Sequence, residues 1–552
     1  MERKYVIGLD YGTLSGRAII ADCKDGTVLA SAVKEYDHGV MSEYLPDGTE
    51  LTGTGWALQN PKDYIDVLKY IIPEAVAQSG VSSKDIIGIG LDFTSCTMLP
   101  VDENNVPLCL LVKNVSRPHA WVKLWKHHGA QKQADEINEL LKKRGEIDNI
   151  QFGGKISSEL LLPKILQIVE EDPELYDEAA SFLEVGDWLT QILTNGRKRS
   201  GNLAGYKAMW TPETGYPSKD FLLQLSPKLE NLTEDKLGDD ITLAGQPVGY
   251  LTEDWAKELG LCAGIPIATA VIDSHAGMPG SGVSNSDQMM MVLGTSSVML
   301  ALSENGYSKN GVVSGIKGAI LPKQYALESG LAAVGDMLGW FVDNCVSWEY
   351  KQMADQQGMD LHSWLTRKAE KLSPGGHGLL ALDWWNGNKT PYVDGRLSGV
   401  LVGCTLLTKP EEIYRALIES TAFGTKKIMQ LFAESGAKIH TIIASGGIAE
   451  KNALLMQIYA DVLDCEIHIS GTEQTAALGA AIYASVAAGK DLGGYETIQE
   501  AVANMSHLKN IVYKPNPPMV EKYVELYQMY CNLVEIFNPQ KNTTMITLSQ
   551  LH

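Results

Sequence analysis

Apolar residues follow the rhythms of strands and of a helix along the first ninety positions. Three apolar runs, "KYVIGLD", "RAIIAD" and "TVLASAVKEY", come in close succession and predict an antiparallel meander. The next segment, "PKDYIDVLKYIIPEAVAQ", begins with proline and carries apolar residues at helical spacing, so it predicts a helix. The run "IIGIGLD" then predicts a buried strand. The chain therefore opens with three strands, a helix and a fourth strand.

The second half of the chain repeats this pattern. In "QMMMVLGTSSVMLALS" an apolar strand, a Gly-Thr turn and another apolar strand follow one another, as at the start of the chain. A long helix in "KPEEIYRALIESTAFGTKKIMQLFAES" and a strand in "KIHTIIASGG" come next, and "TAALGAAIYASVAAG" predicts a later helix. We interpret the chain as an internal duplication. Two similar mixed sheets that face each other would place both Gly-Thr turns at a shared cleft.

Chain length and the order of elements indicate two α/β domains. A chain of 552 residues is too long for a single compact core. Residues 100 to about 245 predict an insertion rich in helix and aromatic residues, after which "IPIATAVID" predicts one more buried strand, ending on Asp273. We place the boundary between an N-terminal lobe, 1–284, and a C-terminal lobe, 285–552.

Composition and charge exclude several classes of protein. The net charge of -21 argues against a nucleic-acid or anionic-membrane partner, which would require basic clusters. The apolar runs are too short to span a bilayer, and "MERKYVIGLD" has no signal-peptide pattern, so we expect a cytoplasmic protein. The eight cysteines form no CxxC pair and are expected to be reduced. His127 and His128 are expected on a helix surface rather than at a metal.

The two Gly-Thr turns are candidates for phosphate binding. Gly12 and Gly294 allow the chain to bend with positive φ, and the N–H groups beyond each turn can then converge on an oxygen anion. Thr13 and Thr295 add hydroxyl donors. Either turn alone is better explained as an ordinary connection between strands. Their duplication favours a clamp for a polyphosphate.

Asp10 lies at the end of the first strand, beside the first turn. Its counterpart in the second copy is Val292, so symmetric packing does not explain the acid. A carboxylate repels bare phosphate but is favourable there if Mg²⁺ lies between them, directly or through water. Asp10 therefore predicts a metal site. The alternative is an acid that only accepts hydrogen bonds from the N–H groups of its own turn.

Several motifs together resemble a known family of kinases. The chain has no GxxxxGK[ST] motif, which excludes a P-loop nucleotide site. Nearly the whole chain instead resembles the superfamily of actin, heat-shock chaperones and sugar kinases, and within it the FGGY carbohydrate kinases, especially those that phosphorylate L-ribulose. The motifs that carry the resemblance are "GLDYGTLSGRA", "GTGWALQNPKDY", "GLDFTSCTMLP", "RPHAWVKLWKHH", "NLAGYKAMW", "VIDSHAGMPG", "LGTSSVML", "ESTAFGTKKIMQ" and "ASGGIAEKNALLMQIYADVL". Xylulokinase-like and glycerol-kinase-like members carry Trp-x-Asp-x-Arg where this chain has "LVKNVSRPHAW", which leaves the register and role of Arg117 open.

The resemblance implies a fold and an activity. The fold would be two ribonuclease-H-like α/β lobes around a central cleft. The activity would be ATP-dependent phosphorylation of a ketopentose, L-ribulose to L-ribulose 5-phosphate in arabinose catabolism, with Mg²⁺ as cofactor and only a small-molecule sugar and Mg-ATP as partners. The alternatives are a kinase for xylulose, D-ribulose or ribitol, or a nucleotide switch of the chaperone or actin type. The oligomeric state stays open, with a homodimer as one option.

The resemblance also implies a set of site residues. Asp273 would be the general base; the alternative is a helix N-cap or turn former. Lys207 and Glu328 would contact the sugar, although a surface ion pair between them is an equal alternative. The implied sugar contacts are Thr94, Ser95, Cys96, Lys207, Asp273 and Glu328, and the implied ATP contacts are Gly12, Thr13, Gly294, Thr295, Ser296, Gly446, Gly447 and Asn452.

Overall fold

A computed structural model describes residues 3–147, 152–306 and 309–551. Within these ranges the chain forms 21 strands and 19 α-helices. The strands are β1 (Tyr5–Tyr11), β2 (Ser15–Asp22), β3 (Val28–Glu35), β4 (Leu58–Gln59), β5 (Ile86–Phe93), β6 (Met98–Val101), β7 (Val122–Lys123), β8 (Ser181–Glu184), β9 (Arg199–Ser200), β10 (Ile241–Thr242), β11 (Pro247–Tyr250), β12 (Pro266–Ala268), β13 (Val271–Ile272), β14 (Gln288–Leu293), β15 (Ser297–Ser303), β16 (Tyr325–Ser329), β17 (Leu380–Leu382), β18 (Val400–Val402), β19 (Thr441–Ser445), β20 (Glu466–Ser470) and β21 (Leu508–Tyr513). The helices are α1 (Pro61–Ser79), α2 (Gln131–Arg144), α3 (Leu161–Glu171), α4 (Pro173–Glu178), α5 (Val185–Thr194), α6 (Gly201–Lys207), α7 (Lys219–Leu225), α8 (Glu253–Leu259), α9 (Asp273–Ser281), α10 (Gly335–Cys345), α11 (Trp348–Gln356), α12 (Leu361–Ala369), α13 (Pro410–Glu434), α14 (Gly447–Lys451), α15 (Ala453–Leu463), α16 (Thr475–Leu492), α17 (Ile498–Met505), α18 (Pro517–Ile536) and α19 (Thr544–Ser549).

These elements divide into two compact units, each built from three segments of the chain. The first unit comprises Met1–Ser284, Ser314–Ala326 and Gln474–His507, and the second comprises Asn285–Val313, Leu327–Glu473 and Leu508–His552. The predicted division had one cut, between residues 284 and 285. It differs from the observed division because two later segments belong to the first unit.

Small residues explain why the late helix α16 packs within the first unit. A Cβ atom at Gly8 in β1 would lie 2.0 Å from the carbonyl oxygen of Ala477. At Gly90 in β5 it would lie 1.9 Å from the carbonyl oxygen of Ala480. Both distances are far below van der Waals contact, so the backbone of α16 lies directly on the two strands. The glycines of β1 and β5 and the alanines of α16 make this close approach possible.

The central sheet of the first unit has the strand order β11-β12-β5-β1-β2-β3, with β13 also paired to β5. Strands β1, β2 and β3 form the predicted antiparallel meander, and β1 pairs with β5 in parallel. Helix α1 packs on β2 and β3, while α16 packs on β1 and β5. The functional residues at the ends of β1 and β5 therefore lie side by side.

The sheet of the second unit has the order β16-β15-β14-β19-β20-β21. Strand β14 pairs antiparallel with β15 and parallel with β19, as β1 pairs with β2 and β5. This match agrees with the predicted duplication. The predicted long helix is α13, and the apolar C-terminal segment forms the single helix α18, which buries Tyr523, Tyr527 and Tyr530.

The segment "IPIATAVID" differs from its prediction. It forms two short strands, β12 and β13, instead of one, and both pair with β5 in parallel. Asp273 does not end a strand but is the first residue of helix α9. The break brings Val271 and Ile272 opposite Asp92 and Phe93, at the end of β5. Asp273 is thereby placed at the edge of the sheet where β1 and β5 also end.

Candidate active site

The first Gly-Thr turn joins β1 to β2 and is held by side chains from three other segments. The Gly12 N–H donates to the carbonyl oxygen of Ser15 at 3.0 Å. The Tyr36 hydroxyl donates to the Gly12 carbonyl at 2.9 Å, and Gln59 Nε2 donates to the Thr13 carbonyl at 2.7 Å. Trp125 Nε1 donates to Thr13 Oγ1 at 3.1 Å. Because the indole uses the Thr13 oxygen as an acceptor, the hydroxyl proton of Thr13 can point elsewhere.

The second turn joins β14 to β15 and is closed in the same way. The Gly294 N–H donates to the carbonyl oxygen of Ser296 at 2.9 Å. The start of α10 adds three further bonds: the N–H groups of Val334 and Asp336 donate to the Thr295 carbonyl at 2.8 and 3.1 Å, and the Gly335 N–H donates to the Gly294 carbonyl at 3.0 Å. The carbonyl oxygens of Gly294 and Thr295 therefore already accept hydrogen bonds from backbone N–H groups of the protein.

The expected positive φ at Gly12 and Gly294 is wrong. Neither glycine is among the residues of the chain with positive φ. A Cβ atom would also fit, since its nearest neighbours would be Ser15 O at 3.6 Å and Ser296 O at 3.8 Å. Neither backbone conformation nor internal packing therefore requires glycine. The feature that the two positions share is open space above the turn, which a ligand could approach closely.

Gly446 and Gly447 follow strand β19 and differ in their surroundings. Gly446 has φ of 94°, and a Cβ atom there would lie 2.4 Å from the carbonyl oxygen of Leu293. Gly447 begins α14, and a Cβ atom there would meet nothing within 4 Å. Asn452 caps α15 by accepting the Leu455 N–H at 3.0 Å. The positive φ and the close contact with Leu293 therefore require glycine at position 446, whereas Gly447 faces open space.

A cavity of about 750 Å³ lies within the second unit and collects several of the predicted nucleotide contacts. Gly294, Gly447 and Asn452 line it together with Lys451. The opposite wall of the cavity is formed by α12 and by the residues immediately before and after this helix. This wall was not predicted from the sequence, because no motif marks α12. The lining residues from that wall are Met359, Asp360, His362, Ser363, Thr366, Arg367 and Glu370.

Asp10 is paired with a second carboxyl that the sequence reasoning missed. Asp10 in β1 lies opposite Asp92 in β5, and Arg17 Nη1 lies 3.8 Å from Asp10 Oδ2. Burial raises the pKa of Asp10, and the positive charge of Arg17 opposes this rise. Burial and the charges of Asp10 and Asp273 raise the pKa of Asp92 well above its ordinary value. This raised pKa favours the neutral form of Asp92, and both oxygens of its carboxyl are buried without a hydrogen-bond partner among the described residues.

A repeated sequence could have revealed Asp92. The first strand reads Gly-Leu-Asp-Tyr and the fifth reads Gly-Leu-Asp-Phe, at residues 8–11 and 90–93. The parallel register aligns the two stretches residue by residue. Two acids at equivalent positions of neighbouring strands must lie next to each other.

Asp273 is oriented by its own helix and by α6. The Ser274 N–H donates to Asp273 Oδ1 at 2.6 Å. The preceding Ile272 N–H donates to Asn202 Oδ1 at 3.0 Å, which ties the strand to α6. The N-cap position of α9 is Ile272, so Asp273 lies one residue inside the helix rather than at the predicted alternative N-cap. Its contribution to the pKa of Asp92 places the carboxylates of residues 10, 92 and 273 in one region.

The loop 94–97 is held rigidly beside β1. The Thr94 N–H donates to the Tyr11 carbonyl at 3.2 Å, and the hydroxyls of Thr94 and Thr97 lie 2.8 Å apart. Cys96 is buried with φ of 44°, and its carbonyl accepts from Lys164 Nζ at 2.7 Å. A non-glycine residue with positive φ persists only where its surroundings hold it, and such residues cluster at functional sites. Ser95 lies between these two anchors.

Lys207 and Glu328 belong to different units. Lys207 ends α6, and no ion pair involves it in the described part of the chain. The sugar contact and the alternative of an ion pair between Lys207 and Glu328 both stay predictions. Glu328 lies in β16, where its N–H donates to the Val313 carbonyl at 2.6 Å. The neighbouring Tyr206 is a core residue, whose hydroxyl donates to the Ala326 carbonyl at 2.6 Å.

The structure also shows the surroundings of His127 and of Arg117. The expectation that His127 lies on a helix surface is wrong, because it is buried in a turn and bonded to Gln167 at 3.1 Å. Arg117 forms ion pairs with Asp172 and Glu178, so it has partners close to it in the structure.

No group of three or more His, Cys, Asp or Glu side chains among the described residues is arranged to hold a metal ion. All eight cysteines are free, and none of the described helices is long and apolar enough to cross a membrane.

Comparison with models of known protein families identifies the family to which the chain belongs. The model of the FGGY carbohydrate kinase N-terminal domain matches residues 5–280, and that of the C-terminal domain matches residues 289–488. The chain belongs to the FGGY family of carbohydrate kinases. Membership confirms the predicted family and makes the chain a sugar kinase, with a sugar and ATP as its substrates. It excludes the alternative of a chaperone-like or actin-like switch.

Individual relatives match this FGGY kinase over its full length. The ribulokinases of Anoxybacillus flavithermus and Halalkalibacterium halodurans are both 46% identical to it, over 99% and 100% of this chain and 96% and 98% of theirs. A solved xylulose kinase from Rhodospirillum rubrum has a TM-score of 0.80 at 21% identity, covering 97% of this chain and 99% of that one. A glycerol kinase from Plasmodium falciparum has a TM-score of 0.75 at 16% identity, covering 96% and 98%. These solved structures confirm the predicted two-domain α/β fold.

Proposed function

We propose that this FGGY kinase transfers the γ-phosphoryl group of ATP to the 5-hydroxyl of L-ribulose, giving L-ribulose 5-phosphate for arabinose catabolism in the cytoplasm. The observation that carries the proposal is full-length similarity, at 46% identity, to several proteins named ribulokinase. The xylulose and glycerol kinases of known structure are 21% and 16% identical, so they support the fold and not the substrate.

Asp273 is the proposed general base. A kinase must hold a substrate hydroxyl in line with the γ-phosphate and accept its proton as the bond to phosphorus forms. The bond from the Ser274 N–H to Asp273 Oδ1 stabilises the carboxylate and fixes its direction. A carboxylate oriented in this way suits proton abstraction from the 5-hydroxyl of the sugar.

The glycine turns are the proposed phosphate contacts. The open space above Gly12 and Gly294 lets a phosphoryl oxygen approach the backbone amides of each turn. The Thr13 hydroxyl has its oxygen engaged by Trp125, so its proton is free to bond a phosphate oxygen. Thr295 and Ser296 would act in the same way from the second turn. Gly446, Gly447 and Asn452 would hold the remainder of the nucleotide in the cavity of the second unit.

Asp10 is the proposed ligand or outer partner of Mg²⁺. The residues fit such an ion, because the partly exposed Asp10 and the buried Asp92 place two carboxyls side by side, and Arg17, at 3.8 Å from Asp10, is only a weak cationic partner. Mg²⁺ commonly takes only one or two protein carboxylates and fills its other positions with phosphate and water. When bound, the ion offsets negative charge on the phosphates during transfer. Asp10 would supply the protein oxygen, and the proton on Asp92 would keep the pair from repelling each other.

The sugar contacts are proposed for the loop 94–97, Lys207 and Glu328. The loop offers the groups of Thr94, Ser95 and Cys96 next to β1, and Lys207 brings an ammonium group that no described carboxylate neutralises. Polar groups from several segments are what a sugar requires, since each hydroxyl must be satisfied as water leaves.

Replacing Gly447 by valine should raise the KM for ATP about tenfold or more, which corresponds to roughly 1.4 kcal/mol of lost binding. The valine side chain would enter the open space at the cavity wall, while the fold would be unaffected because no atom lies within 4 Å of the added Cβ. Steady-state kinetics with ATP varied measure the effect. Gly395→Val is the matched control, since that glycine also has open space around it but does not line the cavity. An unchanged KM for ATP in Gly447→Val would contradict the nucleotide assignment.

A panel of acceptors tests the proposed function as a whole. ADP release would be measured with L- and D-ribulose, L- and D-xylulose, ribitol and glycerol, each with Mg-ATP. The proposal expects L-ribulose to give the highest kcat/KM and a product that carries phosphate on O5. A higher value for xylulose or for a polyol would overturn the substrate assignment while leaving the family assignment in place.

A further inference from the structure

The first Gly-Thr turn differs from the second in the groups that hold its carbonyl oxygens. In the second turn, backbone N–H groups at the start of α10 hold the carbonyls of both the glycine and the threonine. In the first turn, side chains do so. The Tyr36 hydroxyl donates to the Gly12 carbonyl at 2.9 Å, and Gln59 Nε2 donates to the Thr13 carbonyl at 2.7 Å. The direction of the peptide groups in the first turn therefore depends on side chains that can be replaced.

Gln59 is buried and is held from both sides. It is 1% exposed and ends β4, just before the N-cap of α1. The hydroxyl of Tyr64 on α1 donates to Gln59 Oε1 at 2.5 Å. The opposite orientation of the amide would place its oxygen against the Thr13 carbonyl, so the NH₂ group is the end that faces the turn. Tyr64 is fully buried, and the Tyr11 hydroxyl donates to its carbonyl at 3.1 Å. A chain of hydrogen bonds thus runs from the core of the first unit to the turn.

These bonds determine where the N–H groups of the turn point. In a planar trans peptide group, the C=O and the following N–H point in opposite directions. The Gly12 carbonyl points to Tyr36, so the Thr13 N–H points away from that side chain. The Thr13 carbonyl points to Gln59, so the Leu14 N–H points away from Gln59. Within the described part of the chain, no group accepts a hydrogen bond from either N–H. Leu14 is also 59% exposed, so both N–H groups are available to a ligand.

The first turn lies at the same edge of the sheet as the proposed base. It follows β1 directly, and β1 ends beside β5, with Tyr11 opposite Phe93. Ile272 also lies opposite Phe93, and Asp273 is the next residue. The γ-phosphate must lie next to the sugar hydroxyl that the base deprotonates. The N–H groups of the first turn are therefore placed for the oxygens of the γ-phosphate.

We propose that Gln59 is a positioning residue for phosphoryl transfer, which directs the Leu14 N–H toward the γ-phosphate by holding the Thr13 carbonyl. Tyr36 does the same for the Thr13 N–H, and Tyr64 acts through Gln59. None of these three side chains touches the reacting atoms. The inference rests on the proposed function, which places the phosphates at the turn. A donor that is fixed before the reaction needs no reorganisation as charge develops, so its orientation affects the rate.

The rate of phosphoryl transfer in Gln59→Leu tests this role. Leucine has a similar volume but cannot donate to the Thr13 carbonyl. The rate would be measured in a single turnover, with enzyme in excess over Mg-ATP and with the best acceptor among the sugars and polyols of the panel, so that product release does not mask the step. It should fall about tenfold to a hundredfold, the effect expected when a hydrogen bond to a charged group is lost. The KM for the acceptor should change little. An unchanged rate, or a raised KM without loss of rate, would overturn the proposal.

Tyr64→Phe shows whether an effect passes through Gln59. This variant removes only the hydroxyl that orients the Gln59 amide, so the transfer rate should fall, but less than in Gln59→Leu. In the Gln59→Leu background the same change should have almost no effect on the rate, because no amide is left to orient. Equal effects in both backgrounds would contradict the chain of bonds from Tyr64 to the turn.

The matched control is a buried glutamine that holds backbone carbonyls elsewhere. Gln191 on α5 is 3% exposed, and its Nε2 donates to the carbonyls of Arg197 and Lys198 at 3.3 and 3.2 Å. Gln191→Leu should lower the melting temperature and leave the transfer rate unchanged. An equal loss of rate in this control would trace the effect of Gln59→Leu to general destabilisation, and the proposal would fail.

Tyr36→Phe decides the matter if Gln59→Leu does not fold, since it removes one hydroxyl and keeps the ring. Its transfer rate should fall about tenfold, again with little change in the KM for the acceptor. Normal rates in both Tyr36→Phe and Tyr64→Phe would overturn the proposal. A best acceptor other than L-ribulose would instead overturn the proposed substrate, and the rates of these variants with that acceptor would still decide whether the side chains direct the turn.

Discussion

Asp273→Asn is expected to lower kcat by about a thousandfold or more, within the range that a positioned general base contributes. The KM values for L-ribulose and ATP should change only a few-fold. Asparagine keeps the size of the side chain and an oxygen that can accept the Ser274 N–H, so α9 should begin as before. It cannot take a proton from the sugar hydroxyl. Steady-state kinetics, with folding checked by circular dichroism, measure both parameters.

The control for this prediction is an acid in the same position of another helix. Asp254 lies in the first turn of α8, as Asp273 does in α9, but it is exposed and outside the site. Asp254→Asn should therefore retain the wild-type kcat. A near-normal kcat in Asp273→Asn would show that the carboxylate serves only the helix start, and the proposed base would have to be abandoned.

Asp10→Ala is expected to have the next largest effect, on the metal requirement. Without this carboxylate, the Mg²⁺ concentration that gives half-maximal activity should rise about tenfold or more, since each lost factor of ten corresponds to roughly 1.4 kcal/mol. Activity would be measured over a series of free Mg²⁺ concentrations at fixed ATP. If the half-maximal concentration stayed the same, Asp10 would be a structural acid that only accepts a hydrogen bond from Asp92.

Asp92→Asn distinguishes the two acids of the pair. The amide group of asparagine can donate to Asp10 as a protonated Asp92 would, so the geometry of the pair should survive. The shift in Mg²⁺ requirement should therefore be clearly smaller than in Asp10→Ala. Equal shifts in the two variants would place the ion on both carboxyls and would contradict the account of a protonated Asp92.

The regular elements and the duplication were predictable from local pattern. Strands β1, β2, β3 and β5 and helix α1 lie where apolar spacing and Pro61 place them, because periodicity records which face of an element is buried. The repeated Gly-Thr turn predicted the repeated sheet pairing. These features depend on residues that are close in sequence.

Long-range contacts account for what the sequence did not predict. Helix α16 belongs to the first unit because Gly8 and Gly90 let its backbone approach β1 and β5, and apolar spacing does not specify the partner of a helix. His127 is buried by Gln167, from a segment forty residues later.

The candidate site was predictable only in part, for a physical reason. The resemblance supplied Asp273 and the glycine turns, and the structure adds Asp92 and the wall of the nucleotide cavity on α12. Gly12 and Gly294 were selected correctly as turn residues, but the positive φ expected for them is absent. Open space for a ligand leaves no trace in the local backbone pattern, because it depends on what the rest of the fold leaves empty.

The most direct test is a crystal structure of the protein with L-ribulose, Mg²⁺ and a non-hydrolysable ATP analogue, which prevents turnover during crystal growth. The account predicts that the 5-hydroxyl oxygen of the sugar lies within about 3 Å of the side chain at position 273, the distance required for proton transfer. A sugar whose 5-hydroxyl points away from that side chain, or a sugar bound elsewhere, would contradict the account.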